Sequence, residues 1–188
     1  SPNAMRAEDS ENVIYLGSFS KTIAPGLRVG WTLVPPSLKE KLVIASESSI
    51  LCPSNFTQLT ISSYLADQPW RDQIASFCDL YKVRRDAMLE SLEEHFPATA
   101  QWTKPGGGFY VWVTLPPEID TTALMPKAIV AKVAYVPGTA FYADGFGSWS
   151  LRLSYCYPTP ERIREGVKAL GGVIKQEMAS RKGFELKG

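Results

Sequence analysis

Residues 17–30 read Gly17-Ser18-Phe19-Ser20-Lys21-Thr22-Ile23-Ala24-Pro25-Gly26-Leu27-Arg28-Val29-Gly30. Apolar runs flank this stretch. Residues 12–16 (NVIYL) read as a short buried strand, and residues 28–34 (RVGWTLV) as a second one, stopped by Pro35-Pro36. A lysine therefore sits in a turn between two strands, with Ser18 and Ser20 just before it and Arg28 seven residues after it. Pro25 and Gly26 bend the chain between them, a geometry that can fold Arg28 back toward the two hydroxyls. Hydroxyls and a guanidinium together suit a phosphate dianion, arginine supplying a two-pronged donor. Lys21 would then lie beside whatever carries the phosphate. A lysine next to a phosphate-bearing carbonyl compound points to Schiff-base chemistry, in which the amine attacks only when desolvation or a nearby cation keeps it neutral. The plain alternative is an ordinary turn lysine.

Working outward, residues 37–44 suit a short helix starting at a Ser cap. Ser54 can cap a helix with Phe56, Leu59 and Ser63 on one side. That helix ends near Gln68-Pro69, because the residue before a proline avoids helical angles. Trp70, Ile74, Phe77, Tyr81, Met88, Leu92 and Phe96 then form one apolar stripe at helical spacing. Asp72, Asp79, Lys82, Arg84, Arg85, Glu90, Glu93 and Glu94 lie between them and read as a solvated face. Beyond Pro97 the texture changes. Residues 105–108 (PGGG) form a turn, 109–115 (FYVWVTL) a strand and 132–136 (KVAYV) a further short strand. In residues 149–155, Trp149, Leu151, Leu153 and Tyr155 point one way and Ser150, Arg152 and Ser154 the other. Thr159 caps a last helix, with Pro160 at its first position and a stripe of Ile163, Val167, Leu170, Ile174 and Met178. Strands and helices interleave irregularly, so the expected class is α+β with an antiparallel sheet, divided somewhere along the 70–96 helix.

The 188 residues are 45% hydrophobic and 21% charged, enough for a packed core and too apolar for global disorder. Twenty basic against nineteen acidic residues leave +1, so no broad field favours nucleic acid or anionic lipid. No apolar run approaches the roughly 20 residues of a membrane helix. Residues 1–4 before Met5 have no secretory pattern and read as a cloning scar. Cys52, Cys78 and Cys156 fit neither a zinc site nor a disulfide framework and read as small buried side chains in a reducing cytoplasm. His95 stands beside Glu93 and Glu94 as a surface residue, so Ser/His/Asp catalysis has no support. No carboxylate pair has metal or glycosidase spacing, and the Asn55-Phe-Thr57 sequon is discounted. Gly106–Gly108 suit a plain turn as well as a substrate mouth.

Ser18-Phe-Ser-Lys21 together with Pro25-Gly-Leu-Arg28-Val-Gly30 resembles the pyridoxal-phosphate attachment segment of the class I/II aminotransferases of fold type I. Ser54–Gln58 (SNFTQ), Pro105-Gly-Gly-Gly-Phe-Tyr-Val-Trp112, Pro137-Gly-Thr-Ala-Phe141 and Leu151-Arg-Leu-Ser154 extend the resemblance over about residues 11–180. The nearest branch holds the aminoadipate-type aminotransferases and the aminotransferase-like domains of MocR regulators. The resemblance implies that Lys21 forms a Schiff base with pyridoxal 5'-phosphate and then moves a proton between substrate Cα and cofactor. It implies that Ser18, Ser20 and Arg28 hold the cofactor phosphate and that Arg152 grips the substrate α-carboxylate. The strand alternation independently turns Arg152 away from the apolar side, the alternative being a solvated edge charge.

The implied substrates are an amino acid and a 2-oxo acid. The implied parent is a cytoplasmic homodimer, with no membrane, nucleic acid or metal contacted by this segment. Residues 71–188 would be the small C-terminal domain, an antiparallel sheet packed by helices. Residues 11–70 would be a remnant of the large α/β cofactor domain, and residues 1–10 scar or linker. Family members are much longer, and the part before their lysine supplies a glycine-rich phosphate cradle, a ring-stacking aromatic and an aspartate on the pyridine nitrogen. This chain is therefore expected to be a C-terminal half that alone binds cofactor weakly or not at all and does not turn over. Rival readings are a MocR-type effector domain and an inactive structural fragment. Decarboxylation, racemisation, β-elimination and acyl-CoA condensation on the same fold share the lysine segment.

Overall fold

The computed structural model describes residues 3–185. The chain divides into two compact units, Ser1–Ile74 and Ala75–Gly188. The first unit contains α1 (Met5–Glu8) and an antiparallel ribbon of β1 (Tyr15–Ser18) and β2 (Gly30–Leu33), paired from Tyr15↔Leu33 to Ser18↔Gly30. Arg6 ties α1 to the ribbon by donating to the carbonyls of Ser10 at 2.7 Å, Val34 at 3.2 Å and Val13. The strands are shorter than the 12–16 and 28–34 runs and are not buried. Leu16 is 77% and Leu33 52% exposed. A ribbon of only two strands leaves apolar side chains without a second layer to enter.

α2 (Pro36–Ile50) starts one residue before Ser37 and runs six beyond residue 44. Its start is set by Pro36 rather than by a Ser cap, since the N–H that proline lacks is unused at the first helical position. α3 (Asn55–Asp67) begins as expected, Ser54 Oγ accepting the Thr57 N–H at 3.4 Å, and ends at an extended Gln68 before Pro69. α4 (Trp70–His95) follows; along its stripe Met88, Leu92 and the adjoining Phe96 are buried, while Trp70, Ile74, Phe77 and Tyr81 are half-buried.

The second unit builds a four-stranded antiparallel sheet from β3 (Gln101–Trp102), β4 (Tyr110–Thr114), β5 (Val136–Pro137) and β6 (Ser150–Ser154), in the order β3-β4-β6-β5. α5 (Thr121–Val130) lies between β4 and β5 in sequence, and α6 (Pro160–Glu185) closes the unit. Val111 and Val113 of β4 and Leu151 and Leu153 of β6 enter a core shared with Leu92 of α4 and Ile163, Val167, Leu170 and Ile174 of α6. This is the alternation and stripe that the sequence predicts, and the architecture is α+β. Among the described residues no helix is long and apolar enough to cross a membrane.

Four local readings change. The expected 132–136 strand is reduced to Val136–Pro137, preceded by a turn in which Lys132 takes a left-handed backbone, φ 61°. Arg84 and Arg85 are half-buried rather than solvated: Arg84 donates to the Cys156 carbonyl, and Arg85 to that of Pro105 at 3.2 Å. Cys52 and Cys78 are exposed and Cys156 only half-buried. α5 is an addition, masked in the sequence by Pro116, Pro117 and Pro126. Its Asp120 cap accepts the Thr122 and Ala123 N–H groups. Thr121 Oγ1 shares its one proton between the Ser148 and Ser150 carbonyls, at 2.8 and 2.7 Å, and the Tyr135 hydroxyl donates to the Thr121 carbonyl at 2.6 Å. Burial pushes the Tyr135 phenol up to about 12.

α5 and α6 are clamped by Glu177, which accepts from Lys127 at 2.6 Å and Arg181 at 2.9 Å with only 15% of its side chain exposed. The Lys127 hydrogen bond first, and the Arg181 bond next, hold its carboxyl below the ordinary 4.5. A carboxyl depressed on folding stabilises fully above its unfolded pKa, and that stabilisation is lost as pH falls through the folded value. Glu177→Gln is therefore expected to cost about 0.5–1 kcal/mol at neutral pH and to flatten the acid limb below pH 4.5, read by urea melts at stepped pH.

Candidate active site

The loop joining β1 and β2 is closed by its own backbone. Phe19 N–H donates to the Val29 carbonyl at 3.1 Å, one step beyond the Ser18↔Gly30 rung. The Ile23 and Ala24 N–H groups both donate to the Phe19 carbonyl, at 2.9 and 3.1 Å, and wrap residues 19–24 around one oxygen. Lys21 lies in this wrap. Its side chain is exposed and, among the described residues, its amine has no ion-pair partner. Ser18 and Ser20 share a tight turn in which Ser18 Oγ accepts the Ser20 N–H at 3.1 Å.

Pro25–Leu27 form a 3-10 turn that ends at Arg28 with φ 53° and ψ 38°. A left-handed conformation is uncommon for a residue with a Cβ, and such positions concentrate where function dictates the backbone. The loop thus holds Ser18 and Ser20 in one turn and ends at Arg28, two residues before the Ser18↔Gly30 rung. The Arg28 guanidinium does not turn onto the hydroxyls but donates to the Pro25 carbonyl at 3.2 Å. Residues 17–30 contain Lys21 and Arg28 and no acid, so the loop is a local cationic patch in a nearly neutral chain.

Arg152 stands in the second unit, at the centre of β6, opposite Trp112 on β4 and Val136 on β5. Leu151 and Leu153 on either side of it are buried, so Arg152 lies on the face away from the helices, half-buried. Its guanidinium carbon sits 4.0 Å from the centre of the Tyr110 ring and 4.8 Å from that of Phe141. Sequence reasoning missed both rings. Tyr110 has the outward parity of Trp112, but which β4 residue falls beside Arg152 depends on a strand register the sequence does not spell out.

Phe141 is delivered by a 3-10 turn, Gly138–Phe141. A Cβ at Gly138 would fall 2.3 Å from the Gly147 carbonyl, so only glycine lets these two backbones approach. The 105–108 turn ahead of β4 is pinned as well, its Pro105 carbonyl by Arg85 and its Gly107 carbonyl by the Tyr155 hydroxyl at 3.3 Å. His95 is half-buried at the end of α4, its Nε2 3.7 Å from Glu94. Among the described residues no three His, Cys, Asp or Glu side chains cluster.

Comparison with known proteins places the chain in a family. The family model for aminotransferase class I and II matches residues 2–170. The chain is 46% identical to aromatic-amino-acid aminotransferase 1 of Thermococcus litoralis, over 93% of this chain and 42% of that protein. It is 34% identical to an uncharacterized HTH-type transcriptional regulator of Bacillus subtilis, over 90% of this chain and 35% of that one. The crystal structure of the multiple substrate aminotransferase of Thermococcus profundus superposes with a TM-score of 0.88 at 45% identity, over 92% of this chain and 43% of that one. The chain therefore spans less than half the length of the curated relatives it matches. Through a family match covering most of its length, the chain belongs to the class I and II aminotransferases.

Proposed function

We propose that this chain is the part of a pyridoxal-phosphate-dependent aminotransferase that carries the cofactor lysine, within a longer parent that moves an amino group between an amino acid and a 2-oxo acid. One observation carries the reading. A backbone-closed, acid-free loop holds an exposed lysine between a paired-serine turn and an arginine in a strained left-handed conformation. Its donor set of two hydroxyls, a guanidinium and an amine fits a phosphorylated aldehyde. Pyridoxal phosphate, when bound, supplies the electron-withdrawing ring that makes the substrate Cα acidic. Ser18, Ser20 and Arg28 would hold the phosphate, Arg28 giving up its bond to the Pro25 carbonyl to do so. Lys21 Nζ would hold the aldehyde group, and the same amine would take and return the proton at the substrate Cα. Arg152 holds the substrate α-carboxylate. Residues 11–70 belong to the large domain of the parent and residues 71–188 to its small domain, and the parent pairs with a second copy of itself.

The similarity to a transcriptional regulator supports a second reading, an aminotransferase-like effector domain of the MocR type. Similarity to the 2-aminoadipate transaminase of Thermus thermophilus, 36% identical over 89% of this chain and 42% of that protein, favours the same branch. One experiment tests both. The full-length gene product is incubated with pyridoxal phosphate, reduced with borohydride and peptide-mapped, and amino transfer is assayed in parallel. The enzyme reading expects label on Lys21 and turnover. The regulator reading expects label on Lys21 without turnover. Label elsewhere, or none, overturns both. The 188-residue chain by itself is expected to take up little label and to show no transfer.

A further inference from the structure

A carboxylate is held best by a guanidinium whose plane is already fixed, because a floppy arginine loses rotamer freedom on every binding event. Among the described residues nothing acidic pairs with Arg152, so no ion pair fixes that plane. Aromatic rings do. Tyr110 lies 4.0 Å from the guanidinium carbon and Phe141 4.8 Å. Stacking on ring faces restrains the flat group without consuming its in-plane N–H donors.

Both rings are themselves held. Trp112 meets Phe141 edge-to-face at 5.3 Å and 82°, and Phe109 meets Tyr110 at 6.3 Å and 81°. Phe141 follows the Gly138 close approach, and Tyr110 follows the turn pinned by Arg85 and Tyr155. Tyr110 and Phe141 remain 40% and 45% exposed, too open to be core residues in the second unit.

We infer that Tyr110 and Phe141 are positioning residues that clamp the Arg152 guanidinium and pre-aim its donor edge at a carboxylate. The inference rests on the reading of Arg152 as the carboxylate-binding group and adds what makes it competent. The clamp confers no selectivity for the rest of the ligand, so it serves any 2-amino or 2-oxo acid the parent accepts.

The test uses the full-length gene product with isotope-labelled arginine, its Arg152 side-chain resonances assigned through Arg152→Lys. Ring currents are expected to shift the Arg152 δ protons upfield of those of the other arginines. Titration with 3-phenylpropionate is expected to move the Arg152 Nε–Hε signal. Phe141→Leu and Tyr110→Leu are each expected to return the δ protons toward the free-arginine position and to weaken the probe about two- to fivefold, the scale of an exposed cation–π contact. Phe141→Tyr, which keeps the ring, is expected to restore both readouts. If both leucine variants keep the original shifts and affinity, the clamp is wrong while the role of Arg152 stands. If the probe moves no Arg152 signal in the unsubstituted chain, the carboxylate reading falls and the clamp with it.

Discussion

Lys21→Ala in the full-length gene product is expected to abolish amino-group transfer and to leave the melting temperature of the cofactor-free protein where it was. On the proposed reading two separate losses combine. The proton shuttle at Cα is removed, and general acid–base catalysis of that kind contributes roughly 10²–10⁴-fold. The covalent anchor for the cofactor aldehyde goes with it, so the remaining protein holds its cofactor only through the phosphate donors. Stability should not follow activity, because Lys21 is exposed, lies outside the ribbon ladder and has no ion-pair partner among the described residues. Stopped assays of transfer beside circular-dichroism melts separate the two effects. An unchanged rate in the alanine variant would remove the lysine from the mechanism.

Gly171→Ala is expected to destabilise the second unit by about 1–3 kcal/mol, whereas Gly172→Ala, one residue on, should stabilise it by up to about 1 kcal/mol. Both glycines sit inside α6, where alanine is the better helix former. Their surroundings differ. A Cβ at Gly171 would lie 2.5 Å from the His95 carbonyl oxygen and 3.1 Å from its carbon, backbone atoms at the end of α4 that have no rotamer to yield. A Cβ at Gly172 meets nothing within 4 Å. The first substitution must therefore push two helices apart around Leu92, Leu170 and Ile174, and the second only shrinks the freedom of the unfolded chain. Urea midpoints of the two variants, measured side by side, should move in opposite directions. If they move together, the close approach of α6 to the end of α4 is not what governs this position.

The parts of the fold legible in the sequence are those ruled by a single period. The α4 and α6 stripes and the β6 alternation each repeat long enough to outvote local propensity, and they name most of the second unit's core. α5 was hidden because only Thr121, Leu124 and Ala128 face inward and Pro126 interrupts the run. Arg84 and Arg85 were misjudged because a charged side chain on a helix reads as solvated, whatever carbonyl lies within its reach. In the candidate site, residues 17–30 were legible as a turn between strands and Arg152 as an outward-facing residue. The Arg28 conformation and the rings around Arg152 were not. The first depends on a left-handed backbone and the second on strand register and a glycine contact, and none of these is written in the order of residue types.

The β1–β2 ribbon has a practical consequence for anyone handling this chain. Each outer rim of a two-stranded ribbon keeps unspent amide and carbonyl groups, and Leu16 and Leu33 place greasy side chains beside them. Another molecule can zip onto such a rim without unfolding, so self-association is expected to put a concentration ceiling on a clear solution. Leu16→Lys would lift that ceiling by putting like charges on every would-be neighbour.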